Sequence, residues 1–155
     1  MNSTETLTYD VFVSDPPPHN DGLLPNGEPR GGSPVASTLI YGSEDAVLTD
    51  PAFTADQAQA LGDWVGAKDR NVIDIFITHG HGDHWFAAGL LAERFGARVV
   101  ASAGTIEQMQ VSVALRPSLW DKAYPGIPPA PSSGVQSQPA TRIWPTSSSG
   151  CSRTP

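Results

Sequence analysis

Apolar and polar residues alternate at the start of the chain: Leu7, Tyr9, Val11 and Val13 recur at period two across residues 7–15. That places them on one face, the pattern of a strand. Two further β-rich runs, VASTLIYG (35–42) and DAVLTD (45–50), are separated by Gly42, Ser43 and Glu44, which predicts a hairpin. The period then lengthens. Over residues 54–69 Ala58, Leu61, Trp64 and Val65 recur at helical intervals, and Thr54 with Gln57 has the spacing of a capping box. NVIDIFIT (71–78) is an apolar run broken by one Asp, as in a buried strand. WFAAGLLAERFG (85–96) predicts an apolar helix closed by Gly96, ARVVAS (97–102) a strand, and AGTIEQMQVSVAL (103–115) a weaker helix. Strands alternating with helices predict an α/β fold. Residues 16–34, crowded with Pro, Gly and Asn, predict a loop.

The periodicity stops near Tyr124. Residues 125–155 hold seven Pro, seven Ser and three Gly, no acidic residue, and only Arg142 and Arg153 as charges. Such a composition buries too little apolar surface to offset the entropy of ordering it. The expected organisation is therefore a domain over 1–124 and a disordered tail over 125–155.

Charge narrows the function. The net charge is −7, and because the tail has no acids, residues 1–124 carry 7 basic against 16 acidic side chains. No basic stripe interrupts this surface, so nucleic acid is excluded as a partner. There is neither a secretory leader pattern nor an apolar run of about 18 residues, so the expectation is a cytoplasmic protein without a membrane partner. The single Cys151 excludes an internal disulfide framework and a cysteine metal site.

Candidate chemistry sits in one place. Three of the four histidines, His79, His81 and His84, fall within six residues, with Asp83 beside the last, in the stretch THGHGDHW. Neutral imidazole and carboxylate are zinc ligands, and drawing several from one short loop lowers the entropy of assembling a site. The loop leaves the predicted end of a buried strand and runs into a helix, where α/β folds place their sites. His79 and His81 can face one ion across Gly80, and a turn at Gly82 would aim Asp83 and His84 at a second. Gly80 and Gly82 are expected to supply backbone angles that a β-carbon forbids. His19, alone in the 16–34 loop, is expected to have no role.

THGHGDHW resembles the HxHxDH signature of the metallo-β-lactamase superfamily, and VLTDPAFTADQAQALGDWV (47–65) resembles the segment that precedes it there. The resemblance covers residues 35–124. It implies the first half of an αββα sandwich and a site for one or two zinc ions, with iron or manganese not separated from zinc by the signature. It implies that metal-bound hydroxide attacks an ester, thioester, lactone or amide in a small-molecule substrate. His79 and His81 would serve the first ion, and Asp83 and His84 the second. Asp83 would also take a proton during the reaction. Asp50 would accept a hydrogen bond from a ligand histidine and fix its tautomer.

The chain departs from the family pattern after His84. No histidine follows, and the later acids Glu93, Glu107 and Asp121 are too close in sequence to serve as a bridging ligand from a second sheet. The expectation is a truncated hydrolase, weakly active or inactive, with an uncovered sheet face that invites self-association. Alternatives are a non-catalytic metal-binding remnant, an assembly module completed by a partner chain, and a single-iron dioxygenase relative.

Overall fold

The computed structural model describes residues 6–129 and 136–137. A six-stranded mixed sheet organises them, built from β1 (Thr8–Val13), β4 (Ala36–Tyr41), β5 (Asp45–Thr49), β6 (Asn71–Ile77), β7 (Arg98–Ala101) and β8 (Gln136–Ser137), in the order β1-β4-β5-β6-β7-β8. The first three strands run antiparallel, and β5 through β8 are parallel. The α/β expectation is met, and the hairpin at Gly42–Glu44 forms with Tyr41 opposite Ala46.

Helix α1 (Ala55–Gly66) begins where its capping box predicts. The Thr54 hydroxyl accepts from Gln57 N–H, and Gln57 Oε1 accepts from the backbone N–H groups of Thr54 and Phe53. Gln57 Nε2 then donates to Ser14 Oγ and to the Asp15 carbonyl, tying the helix to the end of β1. Helix α2 (Ala88–Phe95) ends at Gly96, whose φ of 66° is the left-handed cap expected there. α1 and α2 cover one face of the sheet. Leu39, Leu48, Ile75 and Ile77 pack from the strands against Ala58, Leu61, Val65 and Leu91 from the helices. Each fully buried large aliphatic side chain there stabilises the fold by about 1.5–3 kcal/mol.

The α2 helix starts three residues later than its pattern predicts. Trp85, Phe86 and Ala87 are buried, but they occupy the turn after a 3-10 segment, Gly82–His84, and not a helix. The Trp85 indole N–H donates to the Gly80 carbonyl, which holds the ring back over the loop.

β1 forms as a strand, and its apolar row lies on the exposed face of the sheet. Tyr9, Val11 and Val13 are 68%, 51% and 60% exposed, whereas Phe12, between them, packs on Trp64 of α1. Their cross-strand partners Ile40, Thr38 and Ala36 share that outer face, which no described helix covers.

The loop expected over 16–34 contains a second ladder, β2 (Pro18–Leu23) with β3 (Pro29–Gly31). Asn26 Oδ1 accepts from Glu28 N–H and Gly27 takes a φ of 84°, so the turn residues make a hairpin of this segment. Each proline begins its strand, where a missing N–H costs least. Beyond α3 (Ala103–Leu115), a π turn (Arg116–Trp120) and α4 (Asp121–Ala123) carry Trp120 and Tyr124 onto Phe53.

Contacts continue past the boundary expected at Tyr124. The Gly126 carbonyl accepts from Ala55 N–H, Ile127 packs on the core, and the Pro128 carbonyl accepts from Arg116. Most of the expected tail, 130–135 and 138–155, lies outside the described residues. No described helix is long and apolar enough to cross a membrane.

Candidate metal centre

The site forms where the parallel strands β5, β6 and β7 end. β6 is held by fully buried Ile75 and Ile77, so the residues after Ile77 emerge at a fixed point at the C-terminal end of the parallel strands. β5 ends beside it, and Asp50 N–H donates to the Phe76 carbonyl. Asp50 has a φ of 48°, a left-handed conformation that Asp tolerates better than most residues. That conformation turns its carboxylate, 11% exposed, toward the residue leaving β6.

Thr78 meets it. The Thr78 N–H donates to Asp50 Oδ1 at 3.0 Å, and the Thr78 hydroxyl lies 2.9 Å from Asp50 Oδ2 and 2.9 Å from His79 Nδ1. A hydroxyl has one proton. With an ionised carboxylate at hydrogen-bond distance, that proton goes to Asp50, so Thr78 accepts from His79 Nδ1–H. The relay fixes the His79 tautomer and leaves its Nε2 lone pair free. Asp50 is ionised at neutral pH. Burial pushes its pKa up, but the attraction of His84 and the hydrogen bonds from Thr78 outweigh burial and hold it below the ordinary carboxylate value of 3.8.

His84 faces two carboxylates. Its Nδ1 lies 3.7 Å from Asp50 Oδ2 and its Nε2 lies 3.7 Å from Asp83 Oδ2. Both contacts are ionic attractions, too long for hydrogen bonds. The Asp50 carboxylate raises the His84 pKa above 6.5 against the opposing push of burial, and Asp83 adds to the rise. Burial, followed by the charge of His84, lowers the pKa of His79, which is therefore neutral at pH 7.

These groups fit a divalent cation. One ligand atom from each of Asp50, His79 and His84 lies within 4.8 Å of the others. His84 Nδ1 is buried without a hydrogen-bond partner, a cost that coordination of the ring would relieve. Neutral imidazole with carboxylate is the donor set of zinc and of other first-row divalent metals.

The grouping differs from the one the spacing suggests. His81 packs edge-on against His79 with ring centroids 4.9 Å apart, but the closer ring pair is His79 with His84 at 4.1 Å. His81 and Asp83 flank the compact set, and Asp50 stands inside it. The role of the glycines also differs. Neither Gly80 nor Gly82 has a positive φ. A β-carbon on Gly80 would come within 2.3 Å of Gln108 Cβ, and one on Gly82 within 2.3 Å of the Phe86 ring. Close approach requires both glycines, not backbone angle.

Thr78 was not a sequence candidate, since a lone Thr before the histidines has no distinguishing pattern. His19, expected to be without a role, packs edge-on against Tyr124. An open groove of about 530 Å³ lies beside His79, bordered by Ser102, Thr105, Gln108 and Val111.

The metallo-beta-lactamase superfamily model matches residues 30–140, which include Asp50 and the whole histidine cluster. Among solved structures, the Rm3 metallo-beta-lactamase is 28% identical, with 48% of this chain and 29% of that chain covered and a TM-score of 0.42. A motif mutant of a metallo-beta-lactamase from Cronobacter sakazakii is 27% identical, with 48% and 31% covered and a TM-score of 0.43. MEM-A1, a subclass B3 metallo-beta-lactamase from a soil metagenome library, is 23% identical, with 68% and 40% covered and a TM-score of 0.48. No curated protein matches. The chain spans about three tenths of the length of the first of these structures. With the family model matching 111 of 155 residues, the chain belongs to the metallo-β-lactamase superfamily.

Proposed function

We propose that this chain holds the metal of a hydrolytic site that acts on a small ester, thioester, lactone or amide. The observation that carries the reading is the Asp50–Thr78–His79 relay, with His84 closing the set of donor atoms within 4.8 Å. A relay that leaves one imidazole nitrogen protonated and the other free has the form of outer-sphere support for a metal ligand. His79 and His84 are the central ligands, His81 and Asp83 complete the donor set for one or two ions, and zinc is the metal the donors suit best.

When bound, the ion polarises a carbonyl and lowers the pKa of water to about 7. The chain supplies the rest. Asp50, ionised and almost buried, holds Thr78 and through it the His79 ring. Asp83, 34% exposed and 3.7 Å from His84 Nε2, is placed to take a proton released during hydrolysis and to pass it to solvent. The groove beside His79 receives the acyl part of the substrate.

Titration of metal-free protein with Zn²⁺, read by calorimetry and by elemental analysis of the recovered protein, tests the reading. Saturable binding that is lost in the His79→Ala/His84→Ala double variant supports it. Equal metal uptake by parent and double variant would remove it.

The exposed row Tyr9, Val11 and Val13 favours a second reading, that the chain works as a metal-binding module in an assembly. Sedimentation of the parent and of a Tyr9→Ser/Val11→Lys variant separates the two. Concentration-dependent association lost in the variant supports the module, and a monomeric parent argues against it.

A further inference from the structure

Three consecutive peptide groups of the histidine loop are held by one helix, α3. The Thr105 hydroxyl donates to the Thr78 carbonyl at 3.4 Å, Gly80 N–H donates to Gln108 Oε1 at 3.4 Å, and the Ser112 hydroxyl donates to the Gly80 carbonyl at 2.6 Å. Trp85 Nε1 donates to that same carbonyl at 3.3 Å from the opposite end of the loop. These groups belong to the 78–79, 79–80 and 80–81 peptides in turn. A residue's φ and ψ are the rotations between its two flanking peptide planes, so pinning three planes fixes the backbone of His79 and of Gly80. The direction of the His79 side chain, and the angle at which the chain enters His81, are thereby set from outside the loop.

The helix can do this because it lies against the loop backbone itself. Gly80 approaches so closely that a β-carbon would meet Gln108 Cβ at 2.3 Å and Met109 N at 2.7 Å. Thr105 and Ser112, with Met109 between them, form the buried face of α3. Buried hydroxyls in a helix must find partners, and here the partners are loop carbonyls. Ser112, 7% exposed and with the shortest of these bonds, is the principal restraint.

We infer that Ser112 is a positioning residue for the metal centre, acting through the Gly80 peptide to hold His79 and His81 at ligating geometry. The inference rests on the metal-site reading above. It assigns to α3 a part in metal affinity beyond its part in stability.

The test compares Ser112→Ala, Ser112→Thr and a control, Thr54→Ala, which removes the α1 cap away from the loop. Co²⁺ titration gives affinity and the visible spectrum of the bound ion, and thermal unfolding of the metal-free proteins gives stability. Ser112→Ala should weaken Co²⁺ binding about ten-fold or more and alter the spectrum. Ser112→Thr, which keeps the hydroxyl, should recover affinity. Thr54→Ala should lose stability while its affinity and spectrum stay unchanged. Equal losses of affinity in Ser112→Ala and Thr54→Ala would reduce Ser112 to a structural role and overturn the inference. If the parent binds no Co²⁺, the metal-site reading fails, and the clamp is judged on metal-free protein by NMR. Faster exchange of the Gly80 amide and shifted His79 and His81 ring resonances in Ser112→Ala would then uphold the restraint. Unchanged exchange and resonances would overturn it.

Discussion

Asp50 receives both polar hydrogens of Thr78, the backbone N–H and the hydroxyl, across 28 residues of sequence. The contact joins the ends of β5 and β6 and settles which nitrogen of His79 is protonated. Removing the hydroxyl should therefore act on metal binding more than on folding. Thr78→Val keeps the N–H bond and the β-branched shape. We predict a loss of zinc affinity of about ten-fold to a hundred-fold. Two-dimensional ¹⁵N spectra of the imidazoles should show a mixture of His79 tautomers in place of the Nδ1–H form. A single Nδ1–H tautomer in the variant would show that the relay is not what holds it.

The Asp50–His84 pair predicts a pH window for the metal-free protein. Folding raises the His84 pKa, so its contribution to stability is complete below the unfolded value of 6.5 and is lost as pH rises through the folded value. Folding lowers the Asp50 pKa, so its contribution is complete above the unfolded value of 3.8 and is lost as pH falls through the folded value. The pair is thus fully effective between about pH 4 and 6.5. Melting temperatures measured from this range to higher pH should fall on the alkaline side in the parent and should be flatter in Asp50→Asn. Asn tolerates the left-handed φ of residue 50, so this variant removes the charge without adding backbone strain. Identical pH profiles for the two proteins would remove the pair from the account.

Gln57 offers a test of the fold apart from the metal. Its buried amide satisfies Phe53 N–H and Thr54 N–H on one side, and Ser14 Oγ and the Asp15 carbonyl on the other. Gln57→Ala strands several buried polar groups at once, each costing about 1–3 kcal/mol. A destabilisation of about 2 kcal/mol or more is expected in urea unfolding. A change below about 0.5 kcal/mol, the range of ordinary surface substitutions, would mean that water replaces the amide.

Why some of this was legible in the sequence, and some not, follows from the range of the interactions. The Thr54–Gln57 cap and the Gly96 stop are local devices, and their elements formed as the pattern predicts. The histidine cluster is also local, so its position at a strand end could be read directly. The grouping of its members could not, because it depends on Asp50, placed by β5 pairing with β6. Thr105 and Ser112 look like defects in an amphipathic helix, since their partners are carbonyls of a loop far upstream. The alternation in β1 marks a strand, but alternation alone does not tell which of its faces is buried. Phe12 on Trp64 decides that face, and this contact joins two elements whose packing no local pattern encodes.

Turnover is the most demanding prediction, because a bound ion is only part of a hydrolytic site. Zinc binding should require the cluster: His79→Ala/His81→Ala should abolish it, and His19→Ala should leave it unchanged. Hydrolysis also needs the substrate held against the reacting centre, and orientation alone is worth about 7–11 kcal/mol in well-placed systems. Here the groove beside His79 is open and is bordered on one side by α3, while the outer sheet face is left uncovered by any described helix. We therefore expect zinc-dependent hydrolysis of simple esters, thioesters and lactones by this chain alone to stay near background. Addition of a fragment from a longer relative, covering the part that this chain does not match, should raise metal affinity and turnover together if it brings further donor groups and a facing wall. Asp83→Asn in that complemented site should lower kcat about 100-fold with little change in KM, as expected for a lost proton acceptor. Efficient zinc-dependent turnover by the chain alone, lost on Asp83→Asn, would show instead that the α3 side of the groove suffices to orient a substrate.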